Sequence, residues 1–173
     1  MYSATHLTPN FSKAEFFRGT NPTDEQISTM LAIAEDLEKA RAIVGPIIIS
    51  SSIRSLESNK AAGGVAVDPK KNPLGSAHLY NAPGRGAVDL KMKGKVTHLQ
   101  LAQTLMKVSR AQKIILERCD LPNEYQWVHV QYLLLEDTTP EAWRSYPKVE
   151  GFRGNPEMRG PQIIQVYSPG FTG

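Results

Sequence analysis

The groups in this chain able to bind a metal or move a proton are 4 histidines, 17 acidic residues and 1 cysteine. Two stretches gather them usefully. "SAHLYNAPGRGAVDL", residues 76–90, sets His78 in a turn-rich loop ahead of an apolar run that contains Asp89. "WVHVQY", residues 127–132, alternates as a strand does, so Trp127, His129 and Gln131 share one face while Val128 and Val130 take the other. In "GAVDL" the same alternation puts Ala87 and Asp89 opposite Val88 and Leu90. The valines and leucine claim the core, so Asp89 and His129 both point away from it. With His78 they offer a His, Asp, His set, and three protein ligands with a fourth position open describe a catalytic zinc site rather than a structural one. The competing reading is a loop histidine, a strand aspartate and a half-buried histidine with ordinary partners. Spacing alone leaves both open. His6, in the N-terminal arm, and His98, opening a polar helix face, read as ordinary residues.

These side chains need elements to carry them. "LTPNFSKAEFFRGTNP" reads as an irregular arm with a short turn around residues 12–17, pinned to the domain by Phe11, Phe16 and Phe17. Thr23 with Gln26 is a capping box, and Ile27, Met30, Leu31, Ala34 and Leu37 recur at helical spacing until Gly45 and Pro46, predicting a helix over 24–43. "PIIISSS" predicts a short strand buried on both faces, delivering the chain to "IRS". Residues 56–77, dense in Gly and Pro, predict a long surface loop. "GAVDLKM" predicts a strand, and Thr97 with Gln100 opens a second helix over 98–109. Strands are expected at 113–117 and 127–135, with "RCDLPNEYQ" as a turn between them. "QIIQVY", in the Pro- and Gly-rich remainder, reads as an edge strand or part of an extension. The class is α+β.

In order along residues 7–130, "LTPNFSKAEF", a helix, "GPIIISSSIRS", "SNKAAGG", "SAHLYNAPGRGAVDL" and "WVHV" resemble the zinc D-alanyl-D-alanine carboxypeptidase and L-alanyl-D-glutamate endolysin group of peptidases. That group shares its fold with the hedgehog signalling domain. The resemblance implies a small antiparallel sheet with helices packed on one side, and His78, Asp89 and His129 as the ligands of Zn2+. It also implies that Arg54 faces the substrate and steadies an oxyanion, and that Ser76 contacts the substrate backbone. A turn-forming role is the alternative for Ser76. Two departures stand out. The gap from His78 to Asp89 is longer than the family's, with "NAPG" inserted, and Arg85 occupies the place of the motif's glycine. Gln126 stands where many members carry the acid that takes a proton from water, and a glutamine cannot do so. Glu124 in the flanking turn and Glu117 at the end of the neighbouring strand are the candidates for that duty, each with a solvated surface acid as its alternative.

With 173 residues, 40% apolar and 21% charged, the chain suits one folded domain. Residues 1–137 would form the peptidase domain and 138–173 an extension packed on it. The lone Cys119 excludes an internal disulfide and a C-x-x-C metal site. A net charge of +3 suits an anionic partner, but no nucleic-acid module and no membrane span is visible. No secretory signal opens the sequence, so the expectation is a cytoplasmically made monomer that acts on the cell wall, released as a phage endolysin is or carried on a virion. The expected substrate is a peptidoglycan stem peptide, cut at a bond involving a D-amino acid. The alternatives are a zinc-binding or wall-binding protein with weak or no catalysis, and a structural virion component.

Overall fold

The computed structural model describes residues 4–70, 72–121, 124–134 and 166–167, with side chains left aside at 118–121, 124–126 and 166–167. The arm is more regular than expected. Strands β1 (His6–Thr8) and β2 (Phe11–Ser12) form a hairpin, and α1 (Lys13–Phe17) follows, opened by a capping box between Ser12 and Glu15. Phe11 and Phe16 are fully buried and Phe17 packs beside them, so the arm is pinned by the aromatics as expected.

Helix α2 (Asp24–Val44) starts at the Thr23–Gln26 capping box and ends at Gly45, whose φ of 84° lies in the region that favours glycine. It buries Met30, Ile33, Ala34, Leu37 and Ala40. Strand β3 (Ile47–Ser51) follows it. Strand β4 (Arg85–Met92) leads into α4 (His98–Val108), which opens at its own capping box, Thr97 with Gln100, and buries Leu101, Ala102 and Leu105. Strands β5 (Lys113–Leu121) and β6 (Glu124–Leu133) complete the central sheet, and β7 (Val166–Tyr167) pairs with β5 at its edge.

The sheet order is β3-β4-β6-β5-β7, with every pair antiparallel. One face carries Val88, Leu90, Val128, Val130, Ile114 and Leu116 into the core shared with α2 and α4. Burying each of these side chains contributes about 1.5–3 kcal/mol before the cost of ordering the chain. Asp36 on α2, fully buried, accepts from the Arg110 main-chain N–H at 2.7 Å and from Arg110 Nε at 3.1 Å, so α2 is tied to the connection between α4 and β5. The opposite face of the sheet is left for other work. Among the described residues, no helix is long and apolar enough to cross a membrane.

Three expectations need correction. Residues 56–77 are not all loop, because Leu56–Ala61 form α3. Ser55 caps it by accepting the Ser58 N–H at 3.1 Å, and Leu, Glu, Lys and Ala are good helix formers. "RCDLPNEYQ" is not mainly turn, since the ladder continues through Cys119 opposite Tyr125 and Leu121 opposite Glu124. Strand β3 is not buried on both faces: Ile47 and Ile49 are buried, but Ile48 between them is 41% exposed, as fits a strand at the sheet edge. Of residues 138–173 only β7 is described, as the edge strand that "QIIQVY" allows; the remainder of the expected extension lies outside the described residues.

The β1–β2 turn is held to α2 by one carboxylate. Glu38 accepts from Thr8 Oγ1, the Asn10 main-chain N–H and Asn10 Nδ2, each at 2.8 Å. Burial works to raise its pKa, but the hydrogen bonds from Asn10 and Thr8, with Arg41 nearby, outweigh burial and hold it below the ordinary 4.5. Its contribution is therefore present above the unfolded value and lost as the pH falls through the folded one. Glu38→Gln is expected to cost about 1 kcal/mol at neutral pH, with the gap to the parent closing in acid. Urea unfolding of both proteins at neutral and acid pH checks this, and a gap independent of pH would contradict it.

Candidate metal centre

The open face of the sheet brings two of the three expected ligands together by register alone. Asp89 on β4 lies directly opposite His129 on β6, a placement that sets side chains within reach of one another. The third arrives from a single 3-10 turn, Ala77–Leu79. Ser76 caps that turn, its Oγ accepting the His78 N–H at 3.3 Å, and Tyr80 ends it in the left-handed region, at φ 48°.

His78 Nε2 lies 3.3 Å from Asp89 Oδ1 and 3.3 Å from His129 Nδ1, and His129 Nδ1 lies 2.9 Å from Asp89 Oδ1. All three residues are buried. His78 Nδ1 lies 2.7 Å from the Ser52 carbonyl oxygen. A carbonyl only accepts, so Nδ1 carries a proton, and in the neutral ring Nε2 presents its lone pair to the other two ligands. Two acceptors, this nitrogen and a carboxylate oxygen, then face each other at 3.3 Å. A proton on Nε2 or a cation between the two atoms relieves that contact. At zinc–nitrogen distances of about 2.0–2.1 Å, the ligand atoms of a tetrahedral site stand about 3.3 Å apart, which matches two of the three separations. The residues present fit a zinc ion, and among the described residues no other group of three His, Cys, Asp or Glu converges in this way.

Asp89 is the hinge of the arrangement. Its Oδ1 meets both imidazoles, and its Oδ2 accepts from Arg54 Nη2 at 2.6 Å. Burial works to raise its pKa, but the hydrogen bonds and charges of His129 and His78 prevail and hold the carboxyl far below the usual range. Arg54 Nε donates in turn to Ser51 Oγ at 2.9 Å, and Ser50 Oγ donates to the Asp89 carbonyl at 3.0 Å. Every polar residue of "SSSIR" is thus engaged at the site: Ser50 and Arg54 hold Asp89, Ser51 holds Arg54, and Ser52 fixes His78. The Arg54 main-chain N–H also donates to the His78 carbonyl, at 2.8 Å. Behind them, Tyr80 OH donates to the Ala87 carbonyl at 3.1 Å and takes a bond from Ser52 Oγ at 3.1 Å. Gly86 lies under the Tyr80 ring, where a Cβ would collide with it.

The expected site residues thus fall into groups. His78, Asp89 and His129 come together. Arg54 joins them, though its guanidinium is engaged with a ligand carboxylate, a partner that sequence reading did not assign. Glu117 is buried, and its place opposite Trp127 puts it on the His129 face of the sheet, one same-face position further along. The Ser76 hydroxyl is used in capping the turn. Glu124 opens β6, but its side chain, like that of Gln126, lies outside the described residues. His98 is elsewhere, its Nε2 accepting from the Met92 N–H at 3.4 Å, and His6 pairs with Thr5. Sequence reading missed the roles of Ser52 and Tyr80. The run of three serines before "IR" was the available signal for the first. Compared with protein-family models, curated proteins and solved structures, the chain matches none. On geometry, His78, Asp89 and His129 could hold a metal ion.

The protein is expected to bind one zinc ion, measured by competition with a chromophoric chelator. His78→Ala, Asp89→Ala and His129→Ala should each weaken binding by more than the 10–100-fold typical of losing a supporting partner. Unchanged affinity in all three would remove the site.

Proposed function

We propose that the chain is a zinc-dependent peptidase of the hedgehog/DD-peptidase fold that cleaves peptidoglycan stem peptides at a bond involving a D-amino acid. The observation that carries the hydrolase part is the convergence of three buried ligand atoms on the same sheet face as a buried carboxylate, Glu117. The substrate class follows from the order and content of the motifs from "LTPNFSKAEF" to "WVHV".

A zinc ion held by His78, Asp89 and His129 would supply an acidified water and a polarised scissile carbonyl. The protein's own groups do the rest. Glu117 takes the proton from the attacking water and passes it to the leaving amine, a duty suited to a carboxylate that burial shields from bulk solvent. Arg54 pairs with Asp89 Oδ2 and orients it, and it sets a fixed positive charge beside the place where an oxyanion would form. His78, locked at Nδ1 by Ser52, cannot turn its lone pair away.

A second reading, zinc or wall binding without catalysis, draws on Gln126, which cannot serve as a base. Digestion of purified peptidoglycan with mass analysis separates the two. New amino groups at a bond flanked by a D-residue are expected, and zinc-loaded protein that binds the wall but releases none would leave the binding reading alone. Glu117→Gln should keep zinc affinity within a few-fold of the parent while lowering cleavage by about 10²–10⁴. Full activity in that variant would move the proton-transfer role to another acid, Glu124 first.

A further inference from the structure

The segment between His78 and β4 is longer than a turn requires, and one buried side chain closes it. Arg85, the first residue of β4, is 8% exposed. Its Nη1 donates to the carbonyl oxygens of Leu74 at 3.2 Å and Ser76 at 3.1 Å and to Asn81 Oδ1 at 2.9 Å, while Nη2 donates to the Gly75 carbonyl at 2.7 Å. Asn81 Nδ2 closes the ring by donating to the Leu74 carbonyl at 2.6 Å. Three successive carbonyls, 74 to 76, therefore turn inward onto one planar fork. Gly75, at φ 58°, gives the backbone the conformation this requires. Burial of the guanidinium lowers its pKa, and each of these acceptors is a neutral oxygen. Such a charge is costly to bury, and the multiple hydrogen bonds offset that cost.

What the clasp holds is informative. Ser76, gripped through its carbonyl, is the residue whose Oγ caps the turn carrying His78. At the other end, Arg85 lies on the same strand and the same face as Asp89, two same-face positions away. The guanidinium thus couples the main chain ahead of His78 to the strand that presents Asp89.

We infer that Arg85 is a positioning residue of the metal centre, clasping the 74–81 loop to β4 so that His78 Nε2 stands at ligand distance from Asp89 and His129. The inference rests on the metal reading of the cluster. An ammonium group, a single point charge on a flexible stem, cannot serve four acceptors in this fork, so lysine should not substitute.

The test compares the parent with Arg85→Met, Arg85→Lys and Asn81→Ala, with His129→Ala as control. Zinc affinity is expected to fall about 10–100-fold in Arg85→Met, to stay low in Arg85→Lys and to fall a few-fold in Asn81→Ala. The visible spectrum of the cobalt-loaded protein should shift in Arg85→Met, reporting altered ligand geometry. Parental affinity and spectrum in Arg85→Met, with His129→Ala weakened, would overturn the inference. Should Arg85→Met not fold, Asn81→Ala decides, and parental affinity there overturns it. If the parent itself binds no zinc, the metal reading fails. The clasp is then judged on the metal-free protein by nuclear magnetic resonance of the imidazoles: loss of the slowly exchanging His78 Nδ1–H signal in Arg85→Met supports the clasp, and its persistence refutes it.

Discussion

A carboxylate buried without partners is expelled from a fold or protonated, because several kcal/mol of hydration are lost with nothing in return. Asp89 avoids this by being paired on both oxygens, with Oδ1 toward His78 and His129 and Oδ2 toward Arg54. Much of the architecture follows from that one requirement. The strand pairing β4–β6 must be in the register that sets Asp89 against His129, since a slip of one residue would send every side chain to the other face. Strand β3 must end where it does so that Arg54 can reach across. The loop before β4 must turn back over the sheet to supply His78. Each of these is a backbone decision taken to keep one charge satisfied.

The two faces of the sheet divide the labour. Valine, leucine and isoleucine on one side anchor α2 and α4, and that side determines the register by burial. The polar set on the other side then inherits its alignment at no further cost. Among the residues described at the centre, Asp89 is held as a carboxylate, and Glu117 lies buried on the same face of the sheet. A buried carboxylate oxygen that meets two imidazole nitrogens favours a cation over an anion as its neighbour. The Ser52 carbonyl fixes a proton at His78 Nδ1. A second proton on its Nε2 would satisfy Asp89 but would displace any metal.

How far the sequence disclosed this depends on the range of the interactions involved. Helices α2 and α4 were legible because capping boxes and apolar spacing are local signals, and the Thr23 and Thr97 caps form as their residue types require. The facing of Asp89 and His129 was legible for the same reason, strand alternation being local too. Helix α3 was hidden, since the glycines and prolines after it dominate the composition of residues 56–77 while its six residues lie at the start. The β5–β6 pairing was underestimated because the turn-type residues of "RCDLPNEYQ" dominate a local reading, whereas the pairing of Cys119 with Tyr125 is a cross-strand fact. The engagement of Arg54 with Asp89, and of Ser52 with His78, joins residues far apart in sequence, and no spacing rule predicts such pairs.

The loop between His78 and β4 poses a physical question, because a long loop and an accurately held ligand are opposed demands. The entropy of closing a slightly longer loop is small, growing only with the logarithm of its length. Positional accuracy is a separate matter, since a histidine displaced by an ångström is no longer a ligand. A residue that met both demands would need to satisfy several loop carbonyls at once, from a rigid group rooted in the sheet. Arg85 has that form: a planar fork, rooted at the first position of β4, with consecutive carbonyls as its acceptors. The loop and the arginine are therefore best understood together, the second supplying the order that the length of the first would remove.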